Sequence, residues 1–175
     1  MRHGLSEANK HMLTWSGDTD TPLAPEGIEQ AIRAGQKAKE EGLTFDVIIC
    51  SPLSRAHDTA KLFAKEIGYP EDKILIDKNL LERSFGIFEG RRDLIAHTKY
   101  IFSESAIDDY EGVEKLDTLQ DRADKYLKYV KSLPHDNILI VGHGGFGRAF
   151  RRSVNSDDIT HRGESIKNAE LLKYI

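Results

Sequence analysis

Apolar positions along this chain recur at two periods, and the change from one to the other marks its elements. In PEGIEQAIRAGQKAKEEG, Ile28, Ala31, Ile32, Gly35 and Ala38 fall near one helical face. Pro25 suits the first turn of that helix and Gly42 its end. FDVIIC is a short β-branched run that predicts a buried strand. SPLSRAHDTAKLFAKEIG predicts a helix capped by Ser51, with Pro52 first, a buried stripe of Leu53, Ala56, Ala60, Phe63 and Ile67, and Gly68 at its end. KILID, around 73–77, predicts a second strand, and residues 117–133 a helix carrying Leu119, Ala123, Leu127 and Val130. NILIVG predicts a third strand, followed by a helix running to about Ser153, and ELLKYI a closing strand. Strands alternating with amphipathic helices imply an α/β fold, a three-layer α/β/α sandwich with a mostly parallel sheet.

Composition narrows the class. The chain has 175 residues, 39% hydrophobic and 31% charged, with a formal net charge of −4. That length suits one domain spanning 1–175. An acidic balance argues against a nucleic-acid partner. No apolar run approaches the roughly 20 residues that span a bilayer, so no membrane partner is expected. No basic-then-apolar leader opens the sequence, and the expected location is cytoplasmic. The single cysteine, Cys50, lies inside VIIC and reads as a small buried hydrophobe.

Ligands of parallel α/β sheets gather beyond the carboxyl ends of the strands, and the unusual residues of this chain fall there. FDVIIC delivers Ser51 to a strand end, with Arg55 in the first turns of the next helix. A helix N-terminus favours an anion, and a guanidinium adds a planar donor fork matched to phosphate. An exposed helix arginine is the alternative. NILIVG delivers His143, after which Gly144 and Gly145 allow close backbone approach. Near the start, Arg2 stands against His3, and a neighbouring guanidinium makes it harder for an imidazole to take a second proton. Two histidines and two arginines on one rim suit a phosphoryl group, with one histidine attacking phosphorus and the cations neutralising its oxygens. Metal ligation is the competing use of two histidines. Adjacent arginines would repel a cation, so no metal and no cofactor is expected. The leaving oxygen needs a proton, and Glu82 in LLERSFGIFEG is the candidate acid, with Glu89 its rival.

Together these pieces resemble the histidine phosphatase superfamily, the phosphoglycerate-mutase-like enzymes. The matching stretches are RHG at 2–4, Asn9, SGDTDTPLAPEG, SPLSRAHDTA, LLERSFGIFEG, VGHGGF and the closing NAELLKYI, in the family's order. The resemblance implies that His3 becomes a transient phosphohistidine. Arg2, Arg55 and His143 would hold the phosphoryl group, Asn9 would donate to it, and Glu82 would protonate the leaving group and then help activate water. Ser16, Gly17 and Gly144 would contact a small phosphorylated substrate.

The chain also departs from the family pattern. Members carry an apolar strand before Arg-His-Gly, where only Met1 stands here, and Leu5 replaces a polar or acidic residue. KHMLTW lacks the arginine that mutases place before their Ser-Gly step, and the long mutase insert is missing. Residues 91–115 would form a small cap, with Tyr100, Phe102, Tyr110 and Arg91 or Arg92 facing substrate. An open cap admits water, so the expected activity is that of a phosphatase. The alternatives are a mutase, or a phosphate-binding module of the same fold with little catalysis.

Overall fold

The computed structural model describes residues 1–10, 15–91, 107–155 and 165–174. Strands β1 (Val47–Cys50), β2 (Leu75–Ile76) and β3 (Ile138–Val141) form a parallel sheet in the order β2-β1-β3. Val47 lies opposite Ile138 and Cys50 opposite Val141, so the two buried strands end level. Residues 1–3 extend the sheet beyond β3. Arg2 bridges Gly142 in parallel, Gly142 donates its N–H to the Met1 carbonyl at 3.0 Å, and His3 donates to the Gly142 carbonyl at 2.9 Å.

The side-chain alternation of β1 creates the layers. Ile48 and Cys50 face one side, with Leu139 and Val141. That side is covered by α2 (Pro25–Glu40) and α3 (Ser54–Ile67), through Ala38, Ala56, Ala60, Phe63 and Ala64. Val47 and Ile49 face the other side, covered by α4 (Leu116–Ser132) and α5 (Gly144–Val154), through Leu119, Ala123, Tyr126, Phe146, Ala149 and Phe150. This is the three-layer α/β/α arrangement that the apolar pattern predicts. Cys50 is fully buried, and burial pushes its thiol up to about 12, so it is an inert core residue.

Several elements differ from the sequence reading. The buried face of α2 is Gly27, Ala31, Gly35 and Ala38, while Ile28 is exposed. A Cβ at Gly27 would lie 2.0 Å from the Leu5 carbonyl oxygen, so small residues let the helix sit against residues 4 and 5. The strand expected at 73–77 shrinks to Leu75–Ile76, because Glu71–Lys73 forms a 3-10 turn behind Pro70 and Asp77 accepts a hydrogen bond from the Asn79 N–H. No closing strand forms over 170–174; Ala169 adopts φ 55°, and Leu171 and Tyr174 pack against opposite core clusters. A single turn of helix, α1 (Glu7–Lys10), precedes the undescribed residues 11–14. Of the cap expected at 91–115, Arg92, Tyr100 and Phe102 lie outside the described residues. Arg91 and Tyr110 are exposed, and Ile107 and Val113 pack with Phe88, Trp15 and Phe85 beneath them.

Candidate active site

The backbone of His3 is fixed from three directions. Besides the bond to Gly142, the Ala169 N–H donates to the Arg2 carbonyl at 3.0 Å, and the Asn168 amide donates to the His3 carbonyl at 3.0 Å. Gly4 donates its N–H to Thr59 Oγ1, which in turn donates to the Arg55 carbonyl at 2.7 Å. A Cβ at Gly4 would stand 2.4 Å from the Gly27 oxygen, so the RHG turn admits glycine alone at that point. The His3 ring is buried, and its Nδ1 lies 2.6 Å from the Gly4 carbonyl. A carbonyl accepts only, so Nδ1 carries the ring proton and Nε2 keeps its lone pair. Burial, with His143, Arg55 and Arg2 close by, holds the His3 pKa well below the ordinary histidine value.

His143 meets His3 edge to face, with ring centroids 5.2 Å apart. Its Nε2 lies 2.8 Å from Ser51 Oγ, while its Nδ1 is buried without a hydrogen-bond partner among the described residues. Ser51 Oγ also accepts from the Leu53 N–H at 3.4 Å. A Ser51 hydroxyl that donates to Nε2 puts the ring proton of neutral His143 on Nδ1, toward no acceptor among the described residues. Burial and the nearby Arg55, Arg2 and Arg122 hold its pKa, too, well below the usual value. Ser51 is therefore not the helix cap expected of it; Leu53 holds that position, without a side-chain cap.

The cations close around this pair. Arg2 donates from Nη1 to the Ile166 carbonyl at 2.7 Å, and its Nε is buried without a partner among the described residues. Gly144 borders both guanidinium groups, since a Cβ there would stand in ordinary contact, 3.4 Å from that Nε and 3.5 Å from Arg148 Nη1. Arg55 is 1% exposed. It donates from Nη1 to the Thr19 carbonyl at 2.8 Å, and from Nη2 to the carbonyls of Gly17 at 2.8 Å and Ser16 at 3.2 Å. Ser16 and Gly17 thus support Arg55 directly. Asn9 stands on α1 and accepts from Ser6 Oγ at 2.7 Å. Arg2 Nε and His143 Nδ1, buried without a hydrogen-bond partner among the described residues and beside a neutral imidazole, are polar groups suited to an anion.

At both helix N-termini beside the site, carboxylates of the chain itself accept from the first N–H groups. Asp20 Oδ1 accepts from Ser54 N and Oγ at 2.8 Å, at the start of α3. Glu82 lies at the start of α5, where Oε2 accepts from Gly145 N at 2.8 Å and Oε1 from Phe146 N at 2.9 Å. Glu82 Oε1 also accepts from Arg83 N, and the Glu82 charge offsets part of the cost of burying Arg2 and Arg55. Glu89, the rival acid, accepts from Gly17, Asp18, Thr19 and Phe85 instead. Sequence reasoning missed Ser51's partnership with His143, the 166–169 hook on Arg2 and His3, and Arg122, whose Nη1 donates to the Asn79 and Leu81 carbonyls just before Glu82. Among the described residues no three His, Cys, Asp or Glu side chains gather as a metal would require, and no helix is long and apolar enough to cross a membrane.

The profile of the histidine phosphatase superfamily (branch 1) matches residues 1–173. This chain belongs to that superfamily. Among histidine phosphatase relatives, a 2,3-bisphosphoglycerate-dependent phosphoglycerate mutase of Parvibaculum lavamentivorans is 33% identical over 153 residues, which are 82% of this chain and 72% of the relative. The same enzyme of Borreliella burgdorferi (strain ZS7) is 38% identical over 100 residues, 57% of this chain. That match spans only 40% of the Borreliella protein's length. Among solved structures, the alpha-ribazole phosphatase of Shigella flexneri superposes with a TM-score of 0.78 at 26% identity, covering 97% of this chain and 85% of that one. The superfamily's α/β fold is therefore the fold described above.

Proposed function

We propose that this chain is a phosphomonoesterase that releases phosphate from a small phosphorylated metabolite through a phosphohistidine at His3. The observation that carries this reading is the buried His3 imidazole, with Nδ1 committed to the Gly4 carbonyl and Arg2, Arg55 and His143 around it. Nε2 attacks phosphorus, and the bond from phosphorus to the leaving oxygen breaks. Arg2, Arg55 and the Nδ1–H of His143 stabilise the charge gathering on the remaining oxygens, and Asn9 adds a further donor. Glu82 Oε1 already has two amide donors and Oε2 one. Oε2 therefore keeps an acceptor site; it takes up the proton of a substrate that enters as the monoanion and passes it to the leaving alkoxide. Water then attacks the phosphohistidine, returns a proton to Glu82 and frees inorganic phosphate, with no metal needed for either displacement.

A mutase is the second reading, favoured by the 33% identity to the Parvibaculum enzyme. It requires that isomerisation of a glycerate phosphate outpace phosphate release. Turnover of an aryl phosphate and of a panel of phosphorylated metabolites, run with chelator present, tests both readings. The expected result is phosphate release unaffected by chelator and reduced to background in His3→Ala. Undiminished release by a folded His3→Ala protein would overturn the nucleophile.

A further inference from the structure

Glu89 accepts from four backbone N–H groups and one hydroxyl, and the far side of the same loop is held by Arg55. Its Oε1 accepts from Gly17 N at 2.9 Å, Asp18 N at 3.1 Å and Phe85 N at 2.9 Å. Its Oε2 accepts from Gly17 N at 3.0 Å, Thr19 N at 3.2 Å and Thr19 Oγ1 at 2.8 Å. The peptide joining Ser16 to Gly17 gives its N–H to Glu89 and its carbonyl to Arg55 Nη2. The peptide joining Gly17 to Asp18 does the same, with 3.1 Å on the Glu89 side and 2.8 Å on the Arg55 side. Two peptide groups thus lie side by side between a carboxylate and a guanidinium. Each is bonded to a charge at both ends, so each bond strengthens the other. A Cβ on Gly17 would fall 2.0 Å from the Arg83 oxygen and 2.4 Å from Glu89 Oε1, which reserves that position for glycine. The neighbouring Gly90 donates its N–H to the Trp15 carbonyl at 3.1 Å, which ties this segment to the start of the same loop.

We propose that Glu89 is a positioning residue for Arg55, acting through the Ser16–Gly17 and Gly17–Asp18 peptides. Its carboxylate fixes the loop, the loop carbonyls fix the guanidinium plane, and that plane sets how firmly a phosphoryl oxygen is gripped. The last step rests on the reading of Arg55 as a phosphate ligand; the first two do not. Glu89→Gln keeps the shape but turns an amide donor toward N–H groups that need an acceptor, whereas Glu89→Asp keeps the charge.

The test has two arms. In the first, orthovanadate affinity is measured for the parent, Glu89→Gln, Glu89→Asp, Arg55→Lys and the Arg55→Lys/Glu89→Gln pair. Glu89→Gln is expected to weaken vanadate about tenfold, the loss of one charge-assisted bond, with Glu89→Asp between it and the parent. In the Arg55→Lys background the same change should alter affinity less than about twofold. A full tenfold effect there, or vanadate affinity unchanged in Glu89→Gln despite a lowered Tm, would overturn the proposal. In the second arm, 15N NMR follows rotation of the Arg55 guanidinium in the ligand-free protein. Slow rotation in the parent and fast rotation in Glu89→Gln support the proposal, and equal rotation overturns it. Absence of vanadate binding in the parent counts against the phosphatase reading, and the NMR arm then decides the positioning role by itself. Should Glu89→Gln fail to fold, Glu89→Asp in both arms decides it on the same criteria.

Discussion

The carboxyl ends of β1 and β3 are built to one local plan, and they end in different uses. Each buried strand runs into a polar residue, Ser51 or His143, and then into a helix whose first N–H groups meet a carboxylate. At β1 that carboxylate is the exposed Asp20, which bonds Ser54 and whose charge reaches Arg55 but not Arg2. At β3 it is the half-buried Glu82, whose charge reaches Arg2 and Arg55. Ser51 turns sideways to orient His143, and His143 turns toward His3. A strand end thus becomes reactive through what the rest of the chain brings to it, and the same motif elsewhere serves as a staple.

The comparison breaks most visibly on exchange of the two carboxylates for their amides. Glu82→Gln is expected to lower kcat roughly 10²–10⁴-fold, the usual contribution of a positioned acid. Asp20→Asn should leave kcat within about threefold, since capping contributes to stability and not to proton transfer. Comparable losses in the two variants would remove the distinction. Steady-state kinetics on an aryl phosphate reads both.

A pH series sharpens it next. Both buried histidines have folded pKa values below the unfolded one. As pH falls through about 6.5 the unfolded chain binds protons at both rings and the folded chain does not. Stability present above that pH is therefore lost on acidification, each ring contributing up to about 1.4 kcal/mol per pH unit. Urea unfolding at pH 7.5, 6.5 and 5.5 should show this slope, flattened in His143→Asn. A parent protein equally stable across that range would contradict the burial of neutral rings.

Smaller effects separate Ser51 from Asp20. Ser51→Ala takes the partner from His143 Nε2 and is expected to cost about tenfold in kcat/KM, the worth of one hydrogen bond to a reacting pocket. Asp20→Ala should cost about 1 kcal/mol of stability, read as a Tm shift of about 2–4 °C for a chain of this size. A Ser51→Ala enzyme with parental kcat/KM would mean that His143 holds its tautomer unaided.

How much of this was legible in the sequence follows from the range of the interactions. VIIC and ILIV are read correctly because apolar β-branched runs need only their neighbours to become strands. RHG, SPLSRA and GHGG place His3, Arg55 and His143 on one rim because parallel topology carries strand ends there. The edge strand shrank because Asp77 and Pro70 impose turns on either side, a local competition that apolar content hides. The closing strand failed because Ala169 turns left-handed to hook Arg2 and His3. Glu89 and Gly17 are 72 positions apart, and Ser51 and His143 92. No periodicity encodes such pairs, so the carboxylate that serves the loop and the one facing the cations look alike in LLERSFGIFEG.

The most direct test is a crystal structure of the protein with orthovanadate bound. The account predicts vanadium bonded to Nε2 of His3, with equatorial oxygens on Arg2, Arg55 and Nδ1 of His143, and Glu82 Oε2 beside the apical oxygen. Vanadate seated away from position 3, or an imidazole turned to present Nδ1 to the metal, would contradict it.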